Sequence, residues 1–212
     1  MKINNEEQKT AIVTGASEGI GAAFSKLLIK KGWKVIGISR SSSKLRAISQ
    51  NLLSNEQSFK YFSCDVQDLK KLKNIAKEVK SPDLLFLNAG IYSPVNASEI
   101  NLDLYKKHLN INYLGVLNSY EAFLPGLIKK QNGHIIIMSS VSGWIGLPKA
   151  AAYGPTKAAL RSFAQSARYD LNPKGIKVQL CSPGFVETQA TSINDFYMPG
   201  LMNVNEAANL IF

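Results

Sequence analysis

Apolar residues in this chain fall into short dense runs, and each run is followed by a stretch where they recur every three or four positions. Thr10 to Thr14 is the first run. Ile20, Phe24, Leu27 and Leu28 then repeat at helical spacing as far as Gly32, a residue suited to a helix end. Lys34 to Ser39 is the second run, followed by Leu45, Ile48 and Leu52 behind candidate N-caps at Ser41 to Ser43. Phe59 to Cys64 comes next, then Leu69, Leu72, Ile75 and Val79, with Asp65 or Asp68 as the cap. Pro82 to Leu87 is the fourth run, and Asn88-Ala89-Gly90 turns out of it. A long helical region spans 102–130, and Pro125 and Gly126 are expected to bend or split it. His134 to Met138 and Ile176 to Cys181 are the last two runs. Between them lies a helix through Leu160, Phe163, Ala164, Ala167 and Leu171, which admits Pro155 only in its first turn.

The runs are continuous rather than alternating, so both faces of the sheet they build must be covered. Regular alternation of strand and helix predicts an α/β fold, a Rossmann-type doubly wound parallel sheet with helices on both faces and right-handed crossovers. No repeat, linker or low-complexity tract divides the chain, so residues 1–212 are expected to form a single domain, with 1–9 a polar extension.

Composition narrows the function classes. At 212 residues, 45% hydrophobic and 19% charged, the chain is an ordinary globular one with room for a large core. Its apolar runs are far short of the ~20 residues a membrane span needs. Met1 to Thr10 lacks the apolar centre of a signal peptide. Cys64 and Cys181 stand alone, without metal-type spacing, which suits a reduced, cytoplasmic protein. No metal cluster is visible. The net charge of +10 comes from dispersed lysines, which read as a solvated surface rather than a nucleic-acid arm. That charge would still draw in a phosphate-bearing cofactor or an acidic carrier. His108 is expected on a helix surface, and His134 opens a strand; neither is needed for chemistry.

The polar residues with chemical potential follow the strands. Ligands of such sheets bind beyond the carboxyl ends of the strands. The turn Thr14-Gly15-Ala16-Ser17-Glu18-Gly19-Ile20-Gly21 lies there, as do Asn88, Ser140 and Pro183-Gly184. Gly15, Gly19 and Gly21 permit a tight turn, close approach of a pyrophosphate and close packing of helix on strand. The helix that follows offers free N–H groups to phosphate. After the second strand come Ser39-Arg40-Ser41-Ser42, with no carboxylate to hold a ribose 2′-hydroxyl. Arg40 can instead pair with a 2′-phosphate, so NADP(H) is expected in preference to NAD(H), which remains possible. Asp65 is placed either to accept from an adenine amine or to cap the next helix.

Tyr153 and Lys157 are four residues apart on one helical face, so the lysine can stand beside the tyrosine. A nearby ammonium favours tyrosinate. Bringing a tyrosine pKa of ~10 near 7 takes roughly 4 kcal/mol, which a lysine and a cationic nicotinamide together could supply. Such a tyrosine exchanges a proton with a carbonyl or alcohol oxygen. Ser140 precedes Tyr153 by thirteen residues, and its neighbour Ser139 is expected to point into local packing.

At these residues the chain resembles the short-chain dehydrogenase/reductase family, from the first strand to about Thr188. The shared features are the Thr14–Gly21 turn, Asn88-Ala89-Gly90, Asn112 in Asn-Tyr-Leu-Gly, Ser140, Tyr153-x-x-x-Lys157, and Pro183-Gly184 before Thr188. The resemblance implies an NADP(H)-dependent oxidoreductase that interconverts an apolar, medium-sized carbonyl and its secondary alcohol. It makes Tyr153 the general acid or base and Lys157 the holder of the nicotinamide ribose. Ser140 would position the substrate oxygen, and Asn112 would hold a water that links Lys157 to solvent. Cofactor contacts are implied for Thr14, Gly15, Ser17, Gly19, Ile20, Gly21, Ser39, Arg40, Asp65, Val66, Asn88, Ala89, Gly90, Tyr153, Lys157, Pro183, Gly184, Val186 and Thr188. Substrate contacts are implied for Ser140, Tyr153, Trp144 and Phe185, under a lid at 188–203.

The resemblance also implies a homodimer or homotetramer, with no nucleic-acid partner. Two departures stand out. Glu18 occupies a position where relatives carry small, polar or basic residues. The family's C-terminal strand is expected to be missing, because the chain stops at Phe212. A cofactor-binding sensor that has lost turnover is the competing reading, and an intact Ser140, Tyr153 and Lys157 argues against it.

Overall fold

The computed structural model describes residues 8–51, 58–79 and 81–212. Leu52 and most of the polar N-terminal extension lie outside them. Six strands, β1 (Thr10–Thr14), β2 (Lys34–Ser39), β3 (Phe59–Ser63), β4 (Leu84–Leu87), β5 (Gly133–Met138) and β6 (Ile176–Cys181), form one sheet. All pairings are parallel, in the order β3-β2-β1-β4-β5-β6. The order reverses between β1 and β4, which opens a crevice at their carboxyl ends.

Period-two alternation explains why the strands read as unbroken apolar runs. On β1, Ile12 joins one core cluster while Ala11 and Val13 join the other; on β5, Ile135 and Ile137 oppose Ile136 and Met138. One cluster takes in Leu72 and Ile75 of α3 (Leu69–Glu78), Phe123 and Leu127 of α5 (Gly115–Lys130), and Leu160 and Ala164 of α6 (Tyr153–Leu171). The other holds Phe24 and Leu28 of α1 (Gly19–Lys30), Leu45 and Ile48 of α2 (Ser42–Gln50), and Ala208 and Ile211 of α7 (Val204–Ile211). Phe24 meets Phe86 edge-on at 4.7 Å across the second layer. Each fully buried Leu or Phe contributes about 1.5–3 kcal/mol relative to its exposed state, so the two layers together hold the sheet edge that carries the site. No strand follows β6 among the described residues.

The helix ends are set locally. Ser41 caps α2 by accepting the Lys44 N–H at 3.4 Å, and Asp68 caps α3 by accepting the Lys71 N–H at 2.9 Å. Asp65 instead accepts the N–H of Gln67, 2.9 Å away, and closes the turn before that helix. Pro155 is the third residue of α6, where its missing N–H has no partner to lose.

The long helical region breaks in a different place from the one expected. Pro125 lies inside α5, on its exposed side, where water can serve the carbonyl that proline leaves free. The break is a π-helical turn, Leu109–Leu114, between α4 (Leu102–His108) and α5. It carries Asn112 to the inside with no exposed surface. His108 is also fully buried rather than on a helix surface. Burial is possible because both ring nitrogens have partners, the Leu104 carbonyl and the Ser93 N–H.

Candidate active site

The carboxyl ends of all six strands face one cavity of about 600 Å³. Its lining includes Gly15, Ser17, Gly19 and Ile20 after β1, Ser39 and Arg40 after β2, and Asp65 and Val66 after β3. Asn88, Ala89 and Gly90 follow β4, Ser140 follows β5, Tyr153 and Lys157 come from α6, and Pro183, Gly184, Val186 and Thr188 follow β6.

The glycine turn is built for close approach. Gly15 and Gly19 have φ of +68° and +54°, in the left-handed region. A Cβ on Gly21 would stand 2.2 Å from the Gly15 carbonyl oxygen, so any side chain there pushes the turn and α1 apart. Gly21 therefore shapes the cradle without lining it. Thr14 also stays out of the lining: its hydroxyl accepts the N–H groups of Asn88 and Ala89 at 3.0 and 3.1 Å, locking the ends of β1 and β4 together. The Asn88 amide donates to the Thr14 carbonyl at 3.1 Å.

At one end of the cavity sit charges in water. Arg40 is exposed and Ser39 donates to Ser17 at 2.8 Å. Glu18, Lys44 and Gln189 also line this end and were not among the expected contacts. Lys44 pairs with Glu18 and reaches Gln189 at 3.3 Å. The signal for Lys44 was available, since it stands four residues after Arg40 in the first turn of α2. Thr188 lies beside Gly19, with its methyl 3.3 Å from where a Cβ would be.

The other end is more deeply buried. Lys157 is 3% exposed and its ammonium donates to the Met138 carbonyl at 2.9 Å. Ser139 donates its hydroxyl to the Lys157 carbonyl at 2.9 Å, a packing role, although it also touches the cavity wall. Ser140 accepts the Ser142 N–H at 3.2 Å and caps the short 3₁₀ turn Val141–Gly143. Asn112 does not line the cavity; its amide oxygen accepts from Ile91 N–H at 2.7 Å and its amine donates to the Ile91 carbonyl at 2.9 Å. Its amine also reaches the Thr156 hydroxyl at 3.4 Å, so only the second lone pair of its oxygen is left for a water.

In the chain on its own, burial is the main influence on the tyrosine. Burial pushes the Tyr153 phenol up to about 12, against the opposing effect of the Ser140 hydroxyl. Burial brings the Lys157 ammonium down to about 8. The Lys157 nitrogen lies 5.5 Å from the centre of the Tyr153 ring, and one of its N–H groups donates to the Met138 carbonyl. At neutral pH this arrangement holds a protonated phenol, ready to donate.

Trp144 and Phe185, the other two expected substrate contacts, do not line this cavity. Trp144 donates its indole N–H to Ser182 at 2.9 Å, carries Arg161 over its ring at 4.6 Å, and faces a separate groove behind α6. Phe185 packs edge-to-face on Phe196 at 5.8 Å and closes the base of the 188–203 segment, whose ends meet through Glu187 N–H to Met202 at 2.9 Å.

A sheet with this strand order, this glycine cradle and a Ser-Tyr-Lys constellation on its carboxyl edge defines a nucleotide-dependent dehydrogenase architecture. The family model for short chain dehydrogenase matches residues 9–195, and the chain belongs to that oxidoreductase family. An uncharacterized oxidoreductase of Myxococcus xanthus is 31% identical over 207 residues, covering 96% of this chain and 82% of its own. The 3-oxoacyl-[acyl-carrier-protein] reductase FabG of Vibrio harveyi is 35% identical over 193 residues, covering 90% and 79%. The structure of ElxO with NADP bound matches with a TM-score of 0.86 and 26% identity, over 96% of this chain and 90% of that one. No described helix is long and apolar enough to cross a membrane.

Proposed function

We propose that the chain is an NADP(H)-dependent oxidoreductase that interconverts an apolar carbonyl and its secondary alcohol, with Tyr153 as the proton-transfer group. One observation carries this reading. A single cavity has phosphate-binding geometry and cations at one end and, at the other, a half-buried Tyr153 between a buried Ser140 and a buried Lys157. The residues present fit a dinucleotide: a side chain on Gly21 would collide with the turn, and the first turn of α1 offers its N–H groups. Gly15, Ser17, Gly19 and Ile20 would hold the pyrophosphate, and Asp65 and Val66 the adenine. Arg40, Ser39 and Lys44 would hold the 2′-phosphate. Asn88 to Gly90, Lys157, Pro183, Gly184, Val186 and Thr188 would line the nicotinamide half. When bound, the nicotinamide supplies or accepts the hydride.

The chain's own residues do the rest. Ser140 donates to the substrate oxygen and fixes its position. Tyr153, a phenol at neutral pH, gives its proton to that oxygen as negative charge develops in reduction. Lys157, buried beside the ring, favours the phenolate left behind and holds the ribose. The preference for NADP(H) rests on Arg40 and Lys44, and the pairing of Glu18 with Lys44 explains how an acid is tolerated there. The bound NADP and NADPH of the ElxO structures support the same choice.

Side-by-side fluorescence titration with NADPH and NADH tests the cofactor, followed by turnover on a panel of aliphatic and aromatic ketones. Tighter NADPH binding with ketone reduction is expected. Binding of neither nucleotide would overturn the reading.

A further inference from the structure

His108 has no place in the constellation above, yet it is a fully buried histidine with both nitrogens committed. Its Nδ1 lies 2.8 Å from the Leu104 carbonyl, which can only accept. Nδ1 therefore carries the proton, and Nε2 is left as a bare lone pair. That lone pair accepts the Ser93 N–H at 3.1 Å. Four residues further along, Asn112 takes both backbone groups of Ile91. Val95, the next alternate residue, donates its N–H to the Lys149 carbonyl at 2.8 Å. The segment after β4 has no regular structure from Asn88 to Pro94 and is held through residues 91, 93 and 95. Tyr92, between two of those anchors, packs its ring edge-on against Tyr153, with centroids 5.3 Å apart.

We propose that His108 is a positioning residue for Tyr153, acting through the Ser93 N–H and the ring of Tyr92. Asn112 and His108 form a pair of staples, one on each side of Tyr92. Without the His108 staple, the Ser93 N–H loses its acceptor, the segment relaxes, and Tyr92 no longer covers Tyr153. Tyr153 is half-buried and lines the cavity, so loss of the Tyr92 ring exposes it further and relieves part of the burial that holds its proton. The inference rests on the proton-transfer role of Tyr153. Its test reads the phenol itself and needs no substrate, so it can fail while that role survives, and the role can fail in a turnover assay while the staple stands.

The experiment uses protein labelled with ¹³C at tyrosine Cζ, with the Tyr153 signal identified by its loss in Tyr153→Phe. In the unsubstituted protein that signal should remain at its phenol position up to about pH 10.5, just above the ordinary tyrosine range. In His108→Leu it should already have moved toward phenolate there, a drop of about one pH unit or more, tenfold in acidity. The Ser93 amide should exchange with solvent about tenfold faster or more, as a lost buried hydrogen bond implies. His108→Gln, whose amide oxygen can take the place of Nε2, should restore both. Tyr92→Ala, which leaves His108 intact, should lower the Tyr153 titration in the same way. An unmoved Tyr153 signal in His108→Leu, or in Tyr92→Ala if the leucine variant does not fold, would overturn the proposal. So would a failure of His108→Gln to restore it.

Discussion

The two ends of the cavity hold their polar groups by opposite means. At the nucleotide end, the Glu18 and Lys44 side chains are each about half exposed, at 50% and 49%, and Arg40 is exposed as well. At the catalytic end, Lys157 is 3% exposed, Ser140 8%, and Asn112 and His108 not at all. Charges left in water cost little to hold and exchange partners freely. Polar groups in the buried end must be met by fixed partners, and most of those are backbone atoms: the Met138 and Leu104 carbonyls, both groups of Ile91, and the Ser93 N–H. One end can therefore recognise by charge and tolerate substitution. The other ties chemistry and fold together.

The comparison is broken most directly at Tyr153. Tyr153→Phe should lower turnover by about 10²–10⁴, the usual contribution of a positioned acid, and leave the NADPH dissociation constant within about twofold. Steady-state kinetics beside a fluorescence titration measures both. A large loss of binding would mean that the two ends are not separable.

Lys157 sharpens the contrast through pH. In the unfolded chain its ammonium keeps its proton up to the ordinary 10.5, whereas burial lowers the folded value to about 8. Between those values the unfolded state binds more protons, so stability should rise with pH across that window. Tyr153 acts with the opposite sign only higher up, since its stabilising effect is complete below 10 and lost as pH rises through about 12. Calorimetry from pH 7.5 to 10 should show Tm rising by a few degrees, at about 2–4 °C per kcal/mol for a chain of this size. In Lys157→Met that rise should disappear. An identical slope in both proteins would mean that the ammonium is not desolvated.

Much of this was legible in the sequence because two-sided burial leaves a plain signature. Ile135 to Met138 is unbroken because alternate residues face separate cores. The glycine turn and the Tyr153–Lys157 spacing are local, and local geometry survives into the fold. What was not legible depended on partners distant in sequence. His108 follows Lys106 and Lys107 and reads as a solvated position until residue 93 folds over it. Trp144 reads as part of the main cavity's wall, and its place beside Ser182 and Arg161 on a separate groove shows only in the fold. Pro125 looks like the break in the long helix, yet the π-helical turn before Gly115 leaves no mark as plain as a proline. The lysine's bond to the Met138 carbonyl could be found only once β5 was placed against α6.

At the nucleotide end, Arg40→Ala and Lys44→Ala should each weaken NADPH by about five- to tenfold, as expected for an exposed charge worth roughly 1 kcal/mol, and NADH much less. Both losses should shrink at 1 M salt, where screening reaches about 3 Å. Equal weakening of the two nucleotides would move these cations from the 2′-phosphate to the pyrophosphate.

The smallest expected effect tests the tolerance of that end most finely. Glu18→Gln removes the carboxylate that holds Lys44 and leaves the shape of the turn unchanged. Glu18 is the N-cap of α1, but its side chain makes no capping bond, so stability should stay within about 0.5 kcal/mol. The freed lysine can turn to the 2′-phosphate, and the repulsion between acid and phosphate is gone. NADPH should bind about two- to fivefold tighter, the worth of an exposed pair. NADH should change less, because only NADPH carries the group that Lys44 would meet. An equal gain for both would place the influence of Glu18 at the helix N-terminus, where the shared pyrophosphate lies, and would leave Arg40 as the residue that distinguishes the two nucleotides.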